Sequence, residues 1–168
     1  IEAYRLFEFD KSKYKILIHP QSYVHSIIKF KNGLIKMILY NTDMKIPIFN
    51  TLYTNSNNDL KTSQIKIKNL NNLNFQKVNI KKFPSIKLLK KCFTSGPSTP
   101  IIINSANEVL VDLFLKGKIG FLDIVNSINI ILKDKDFKKY AKRRSTSIKE
   151  IKMIDNWARL KTESMCVR

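Results

Sequence analysis

From Pro84 onward the chain is punctuated in a way that leaves few architectures open. Pro84, the Gly96-Pro97 pair, Pro100 and Gly117 divide it into segments of helical length, and each carries an apolar stripe. Ile86, Leu89 and Phe93 fall on one stripe before Gly96-Pro97 stops the helix. Pro100 starts the next, with Ile103, Asn107, Leu110 and Phe114 on one face and Gly117 as its C-cap. Ile124, Ile128 and Ile131 define a third helix that ends in Lys133 and Lys135. Ser147 and Glu150 form a capping-box pattern ahead of Ile151, Ile154 and Ala158, with Trp157 nearby. A helix with one apolar stripe must bury it against another, so residues 83–168 are expected to form a small antiparallel bundle of four short helices.

The first third of the chain follows a different rhythm. Ile1, Leu6 and Phe9 around Tyr4, Arg5 and Glu8 mark the end of a helix, and Asp10-Lys11-Ser12-Lys13 a turn. The run Ile16-Leu17-Ile18 predicts a short buried strand, with further strands at 23–31 and 34–40. Asn32-Gly33 between the last two signals a hairpin with a type I′ turn, because both central residues of that turn need positive φ. Along the second strand, alternation places Val24, Ser26, Ile28 and Phe30 on one side and His25, Ile27 and Lys29 on the other. Asp43 is the expected N-cap of a helix with Pro47 in its first turn and Ile48, Phe49, Leu52 and Tyr53 on its apolar face. Residues 55–82 are rich in asparagine and lysine, with Leu70, Leu73 and Phe75 as scattered apolar anchors, and predict an extended linker. Strands followed by helices make this an α+β chain.

The formal charge is +18, from 31 Lys and Arg against 13 Asp and Glu. No acidic residue occurs between Asp59 and Glu108. A basic nucleic-acid-binding module is one reading of that stretch, and it predicts tight, steeply salt-dependent binding to strands or duplexes. Lysine far outnumbers arginine, which is confined to Arg5, Arg143, Arg144, Arg159 and Arg168, whereas phosphate forks and guanine edges favour arginine. Abundant lysine, asparagine and isoleucine are what an A/T-rich genome over-produces, and that reading is preferred. Cys92 and Cys166 form neither a disulfide framework nor a metal spacing, so two ordinary thiols in a reducing compartment are expected. No apolar run approaches the roughly 18 residues of a membrane helix. The chain opens on Ile1, with its first methionine at Met37, as a truncated or processed polypeptide would.

Chemistry concentrates in Ile18-His19-Pro20-Gln21-Ser22-Tyr23-Val24-His25-Ser26, which sets two histidines and two serines at a strand edge. A zinc pair of His19 and His25 lacks a third convergent ligand. The nine residues resemble the I-H-P-Q-S-x-x-H-S stretch of the 1-deoxy-D-xylulose 5-phosphate reductoisomerases. Further elements resemble that family in the same order: Ile1-Glu2-Ala3, Asp43-Met44-Lys45-Ile46-Pro47-Ile48, and Phe83-Pro84-Ser85-Ile86-Lys87-Leu88. Gly96-Pro97-Ser98-Thr99-Pro100 leads into Asn104-Ser105-Ala106-Asn107-Glu108, then Ile119-Gly120-Phe121-Leu122-Asp123-Ile124, while Ile154-Asp155 and Ala158-Arg159 echo the last helix. Thr42 stands where the family has proline, and Asn55 where a proline follows an aromatic residue.

The resemblance implies the remnant of an α/β catalytic domain with a β-hairpin over residues 1–55, a linker over 56–82 and a mostly α-helical C-terminal bundle over 83–168. It implies a homodimeric enzyme of the cytoplasm or plastid stroma that takes a phosphosugar substrate, NADPH and Mg²⁺ or Mn²⁺. The metal ligands, phosphate-gripping residues and nucleotide loop would lie upstream, leaving no metal- or cofactor-binding residue here and a fragment inactive alone. Within this chain it points to His25 as a pocket-lining histidine that orients the site; a histidine packed beside Ile27 and bonded to backbone is the alternative. Ser22 would reach the cavity or serve as a turn-forming hydroxyl. Met44 would cover the nicotinamide–substrate space or act as a helix-start core methionine. Glu2, Asn104, Asn107 and Glu108 are expected to be structural, the last three as polar groups inside the bundle.

Overall fold

The computed structural model describes residues 1–53 and 59–166; Asn55 and Arg168 lie outside them. Its elements run α1 (Glu2–Phe7), β1 (Leu17–Ile18), β2 (Val24–Lys29), β3 (Ile35–Leu39), α2 (Lys45–Leu52), β4 (Gln76–Lys77), α3 (Ile86–Thr94), α4 (Thr99–Leu115), α5 (Phe121–Ile131), α6 (Phe137–Ala141) and α7 (Ile148–Cys166). They sort into two compact units, Ile1–Lys11 with Asn79–Arg168, and Ser12–Val78. The fold is α+β, as expected.

In the first unit α4 is the hub, packing against α3, α5, α6 and α7. Its interior face is Ile102, Ala106 and Leu110, all fully buried, and α7 answers with Ile154 and Ala158. An alanine on each helix lets the two approach closely, while each buried isoleucine or leucine contributes about 1.5–3 kcal/mol. Ile124, Ile128 and Ile131 of α5, Ile154 and Ala158 of α7 and Leu110 of α4 are buried as expected, while the stripe of α3 and the first half of that of α4 sit one residue away. On α3 Leu88 and Cys92 are inside and Ile86, Leu89 and Phe93 only half-buried; on α4 Ile103 and Asn107 are half-buried and Phe114 is exposed. Two of the helices, at 17 and 19 residues, are not short, and α6 is an additional one.

The helix ends follow local chemistry. Gly117 adopts φ +68° after α4, with its N–H bonded to the Phe114 carbonyl and that of Lys118 to the Leu113 carbonyl, the double bond of a Schellman turn. Glu150 accepts from the backbone of Thr146 and Ser147 while the Ser147 hydroxyl accepts from the Glu150 N–H, closing the expected capping box. At the start of α4, Ser98 donates to the Arg143 carbonyl (2.6 Å), tying the α3–α4 corner to the end of α6. Helix α1 belongs to this unit through an edge-on contact of Tyr4 with Phe93, 5.1 Å between centroids. Cys92 and Cys166 are free thiols, and burial pushes both above the ordinary thiol value.

The second unit holds two small antiparallel ladders. In β2–β3 the turn differs from expectation. Asn32 is not left-handed; Gly33, at φ +87°, donates to the Phe30 carbonyl, and the Phe30 N–H donates to the Leu34 carbonyl. That is a three-residue loop, a type I turn closed by a glycine bulge, in which only Gly33 needs positive φ. Even alternation along β2 also fails, because Val24 pairs with Leu39 and Ser26 with Ile38, which makes His25 an extra, bulged residue. Strand β1 is not buried: Leu17 is 48% exposed. It pairs with β4 across the segment expected as linker, Leu17 opposite Lys77 and Ile18 opposite Gln76. Helix α2 is capped by Met44 rather than by Asp43, whose carboxylate accepts from the Lys45 N–H at 2.9 Å.

Two substitutions test the bundle. Gly96, at φ +142°, sits so that a Cβ would drive into the Ala141 carbonyl. Gly96→Ala should lower the midpoint of thermal unfolding more than Gly117→Ala, whose Cβ meets nothing within 4 Å. Ile154→Ala should cost about 2–5 kcal/mol by denaturant titration, the range for a large-to-small change in a closed core. Equal midpoints for the two glycine variants, or an Ile154→Ala cost under about 1 kcal/mol, contradict this packing.

Candidate functional site

The polar motif folds into a loop between β1 and β2, and it is held from the far side by residues more than forty positions downstream. Pro20 has no N–H, so the β1–β4 ladder ends at Ile18. Side chains continue the pairing. The Nδ1–H of His19 donates to the Asn74 carbonyl at 2.8 Å, and its ring stacks on Phe75 with centroids 4.9 Å apart. Gln21 donates from Nε2 to the Asn72 carbonyl at 3.0 Å and accepts weakly from the Asn74 N–H at 3.4 Å. Its amide thus takes the donor–acceptor pattern of a strand residue. Asn69 donates to the Tyr23 hydroxyl at 3.2 Å. The Ser22 N–H returns to the His19 carbonyl at 3.0 Å, leaving Ser22 exposed at φ +60°. That left-handed value is uncommon outside glycine and aims the hydroxyl away from the path an extended chain would give it.

His25, the bulged residue, is exposed on the loop side of β2. Its Nε2–H donates to the Tyr40 carbonyl at 3.1 Å, and its ring lies flat on the Tyr40 ring, 3.7 Å between centroids and 10° between planes. The ring therefore bonds to backbone and packs on Tyr40. This bond commits Nε2 and leaves Nδ1 as the nitrogen able to exchange a proton. Tyr40 donates its own N–H to the Tyr23 carbonyl, so the end of β3 and the start of β2 lie side by side. The turn carrying Met44 leaves β3 at that same end, where Asn41 donates to the Ser63 hydroxyl at 2.7 Å. Met44 is 69% exposed, which excludes a core role within this chain.

Ser22, His25 and the Met44 turn thus all issue from the open end of one hairpin. Glu2 belongs to the other unit and is exposed in the first turn of α1. Asn104 and Glu108 are on the outside of the α4–α7 seam rather than within the bundle, and Asn107 is half-buried. Asn104 donates to Glu108 at 2.9 Å, and Arg159 of α7 binds both Glu108 and Asp155, the latter at 2.9 Å. Within Asn104–Glu108 the buried polar residue is Ser105, whose one hydroxyl hydrogen is shared between the Ile101 carbonyl and the Asp155 carboxylate. Hydrogen bonds and charge from Arg159 hold both carboxyls below their ordinary values and raise the guanidinium. Among the described residues no group of three His, Cys, Asp or Glu is placed to hold a metal ion, and no helix is long and apolar enough to cross a membrane.

The family model for the DXP reductoisomerase C-terminal domain matches residues 39–161. The chain belongs to this family. A curated 1-deoxy-D-xylulose 5-phosphate reductoisomerase from Pelagibacter ubique is 42% identical over 167 residues, covering 99% of this chain and 43% of the relative. That from Zymomonas mobilis is 32% identical, covering 98% and 41%. The solved structure of the Zymomonas mobilis enzyme in complex with NADPH superposes with a TM-score of 0.85 at 30% identity, over 99% of this chain and 43% of the other. A reductoisomerase in complex with NADPH, fosmidomycin and magnesium gives 0.91 at 27%, over 98% and 41%. The chain therefore spans about two fifths of the length of the curated relatives it matches.

For this reductoisomerase-family chain, the residues missed from sequence are the partners: Asn69, Asn72, Asn74 and Phe75 behind the loop, and Tyr40 beneath His25. Asn72, at φ +63°, carries the one available signal, since asparagine tolerates the left-handed region and an asparagine-rich stretch is more than filler.

The Arg159 cluster predicts a pH dependence. Carboxyls depressed on folding contribute stability that is present above their unfolded values, about 4, and is lost as pH falls through the lower folded values. Thermal midpoints should therefore drop between about pH 5 and pH 2, and Arg159→Met should reduce that drop by removing the cause for Glu108 and Asp155. Parallel profiles for the two proteins contradict the assignment.

Proposed function

We propose that this chain is part of an NADPH- and divalent-metal-dependent reductoisomerase that converts 1-deoxy-D-xylulose 5-phosphate to 2-C-methyl-D-erythritol 4-phosphate in non-mevalonate isoprenoid biosynthesis. The observation that carries the proposal is the likeness to such enzymes along nearly the whole chain, in sequence and in fold. The basic stretch then reflects composition, and the nucleic-acid-binding alternative gains no support from the relatives.

In this reading residues 1–55 complete the catalytic domain, 56–82 connect and 83–168 form the helical domain of a cytoplasmic or stromal homodimer. The exposed apolar residues of the hairpin, among them Ile28, Ile35, Met37 and Ile38, support a sheet continued by other parts of the protein. NADPH would supply hydride and Mg²⁺ or Mn²⁺ would polarise the substrate oxygens; no group of three His, Cys, Asp or Glu among the described residues is placed to hold the metal, and both groups are assigned mainly to the rest of the protein. What this chain supplies is a wall. Ser22 offers a hydroxyl to the phosphosugar side, His25 presents Nδ1 from a ring fixed on Tyr40, and Met44 gives an apolar cover that excludes water. Sulfur and methylene groups suit such a cover because they adapt to a flat ring.

The test is the full-length protein assayed for NADPH oxidation with 1-deoxy-D-xylulose 5-phosphate and Mg²⁺. Activity should require the phosphosugar, vanish with a chelator and return with Mg²⁺ or Mn²⁺. A folded full-length protein with no such activity sinks the proposal.

A further inference from the structure

We propose that residues 69–77 form a positioning strap for the site, acting through His19 and Gln21 on Ser22 and, through the loop end at Tyr23, on the entry into His25. This deepens the reductoisomerase reading and rests on it for its catalytic consequence, though not for the strap itself.

From Pro20 to Tyr23 the only local backbone bond is Ser22 N–H to the His19 carbonyl. A single turn bond does not specify φ +60° at a serine, which needs surrounding structure to impose it. Among the described residues the further hydrogen bonds and ring contacts of the His19 and Gln21 side chains come from the strap, Asn74 and Phe75 on His19 and Asn72 and Asn74 on Gln21, while Tyr23 is held by Asn69 of the strap and by Tyr40, whose N–H donates to the Tyr23 carbonyl. The strap's own left-handed residue, Asn72, is the one whose carbonyl receives the Gln21 amide. His19 is also chemically committed. Its Nδ1–H points at a carbonyl, and Nε2 is buried without a hydrogen-bond partner. The ring is thus held on two sides, by its Nδ1–H on the Asn74 carbonyl and by its face against Phe75. None of the strap residues is a candidate to touch substrate. Their effect on the reaction is through Ser22, and a small displacement of a positioned group is enough to slow a reaction.

Two variants of the full-length protein separate the parts. His19→Phe keeps a ring against Phe75 but has no donor; His19→Asn keeps a donor amide in the Nδ1 position but has no ring. Deuterium uptake of a peptide covering residues 18–26 reports the loop, and steady-state kinetics report the site. In His19→Phe, uptake should rise and kcat should fall roughly tenfold or more with the KM for NADPH unchanged; His19→Asn should restore both toward wild type. Unchanged uptake in His19→Phe overturns the strap. Raised uptake with wild-type kcat overturns the positioning role. A full-length wild-type protein inactive on the phosphosugar refutes the function reading instead, and the uptake comparison still decides the strap.

Discussion

A two-residue backbone ladder, Leu17 to Lys77 and Ile18 to Gln76, is the constraint on which the site-bearing half of this chain depends. It closes a loop of nearly sixty residues, at an entropic cost that grows slowly with length but still exceeds what two ladder positions return. Pro20 prevents the ladder from simply running on. The chain's solution is to continue pairing with side chains: His19 and Gln21 bond to main-chain atoms of the opposite segment as strand residues would. Each such bond is worth about 0.5–1.5 kcal/mol net, so the set matters more than any member. The consequence is a loop that is irregular in backbone yet specified in position.

The helical unit obtains its order by other means. There the core is continuous, with Ile102, Leu110, Ile131 and Ile154 fully buried around α4, and polar groups mark ends and seams rather than sites. Arg159 and Lys161 tie α7 to Glu108 and Asp134, Asp155 of α7 itself also pairs with Arg159, and Ser98 and Glu150 sit at helix starts. Those ion pairs are partly exposed, so they contribute modestly and serve mainly to set the rotation of α7. Stability and chemistry are thus segregated: the unit with the packed core carries none of the candidate site residues, and the unit that carries them has the sparse, hydrogen-bonded framework.

This division explains what could be read in the residues. Helices announced themselves because Pro84, Gly96-Pro97, Pro100 and Gly117 are local devices acting on their own neighbours. The phase of the stripes was less legible. The run Ile101-Ile102-Ile103 has apolar side chains on every side, and α4 is contacted by four other helices, so only tertiary packing selects Ile102 as the interior residue. Asn32-Gly33 identified the hairpin but not its turn, since one positive φ suffices when the loop includes Lys31. The bulge at His25 and the strap behind His19 left almost no trace. Their partners are carbonyl and N–H groups, which every residue possesses, so composition cannot flag them.

The two histidines of the motif show why such partners decide function. They lie six residues apart, and the resemblance points to His25 as the pocket-lining one, while His19 is expected to start the motif's turn and satisfy backbone groups before Pro20. In the fold, His19 uses its Nδ1–H for the Asn74 carbonyl and buries Nε2. His25 makes the opposite choice: Nε2–H is bonded to the Tyr40 carbonyl, the ring is pinned on Tyr40, and Nδ1 remains. An imidazole with one nitrogen anchored has a fixed tautomer and a fixed direction for the other, which is what a proton-handling or orienting group requires. The bulge supplies that direction by lifting His25 out of the alternation that would have given it a strand neighbour. The proposed division, His25 at the site and His19 in its support, rests on the resemblance for its chemistry, and the long-range backbone partners add which ring nitrogen each has committed.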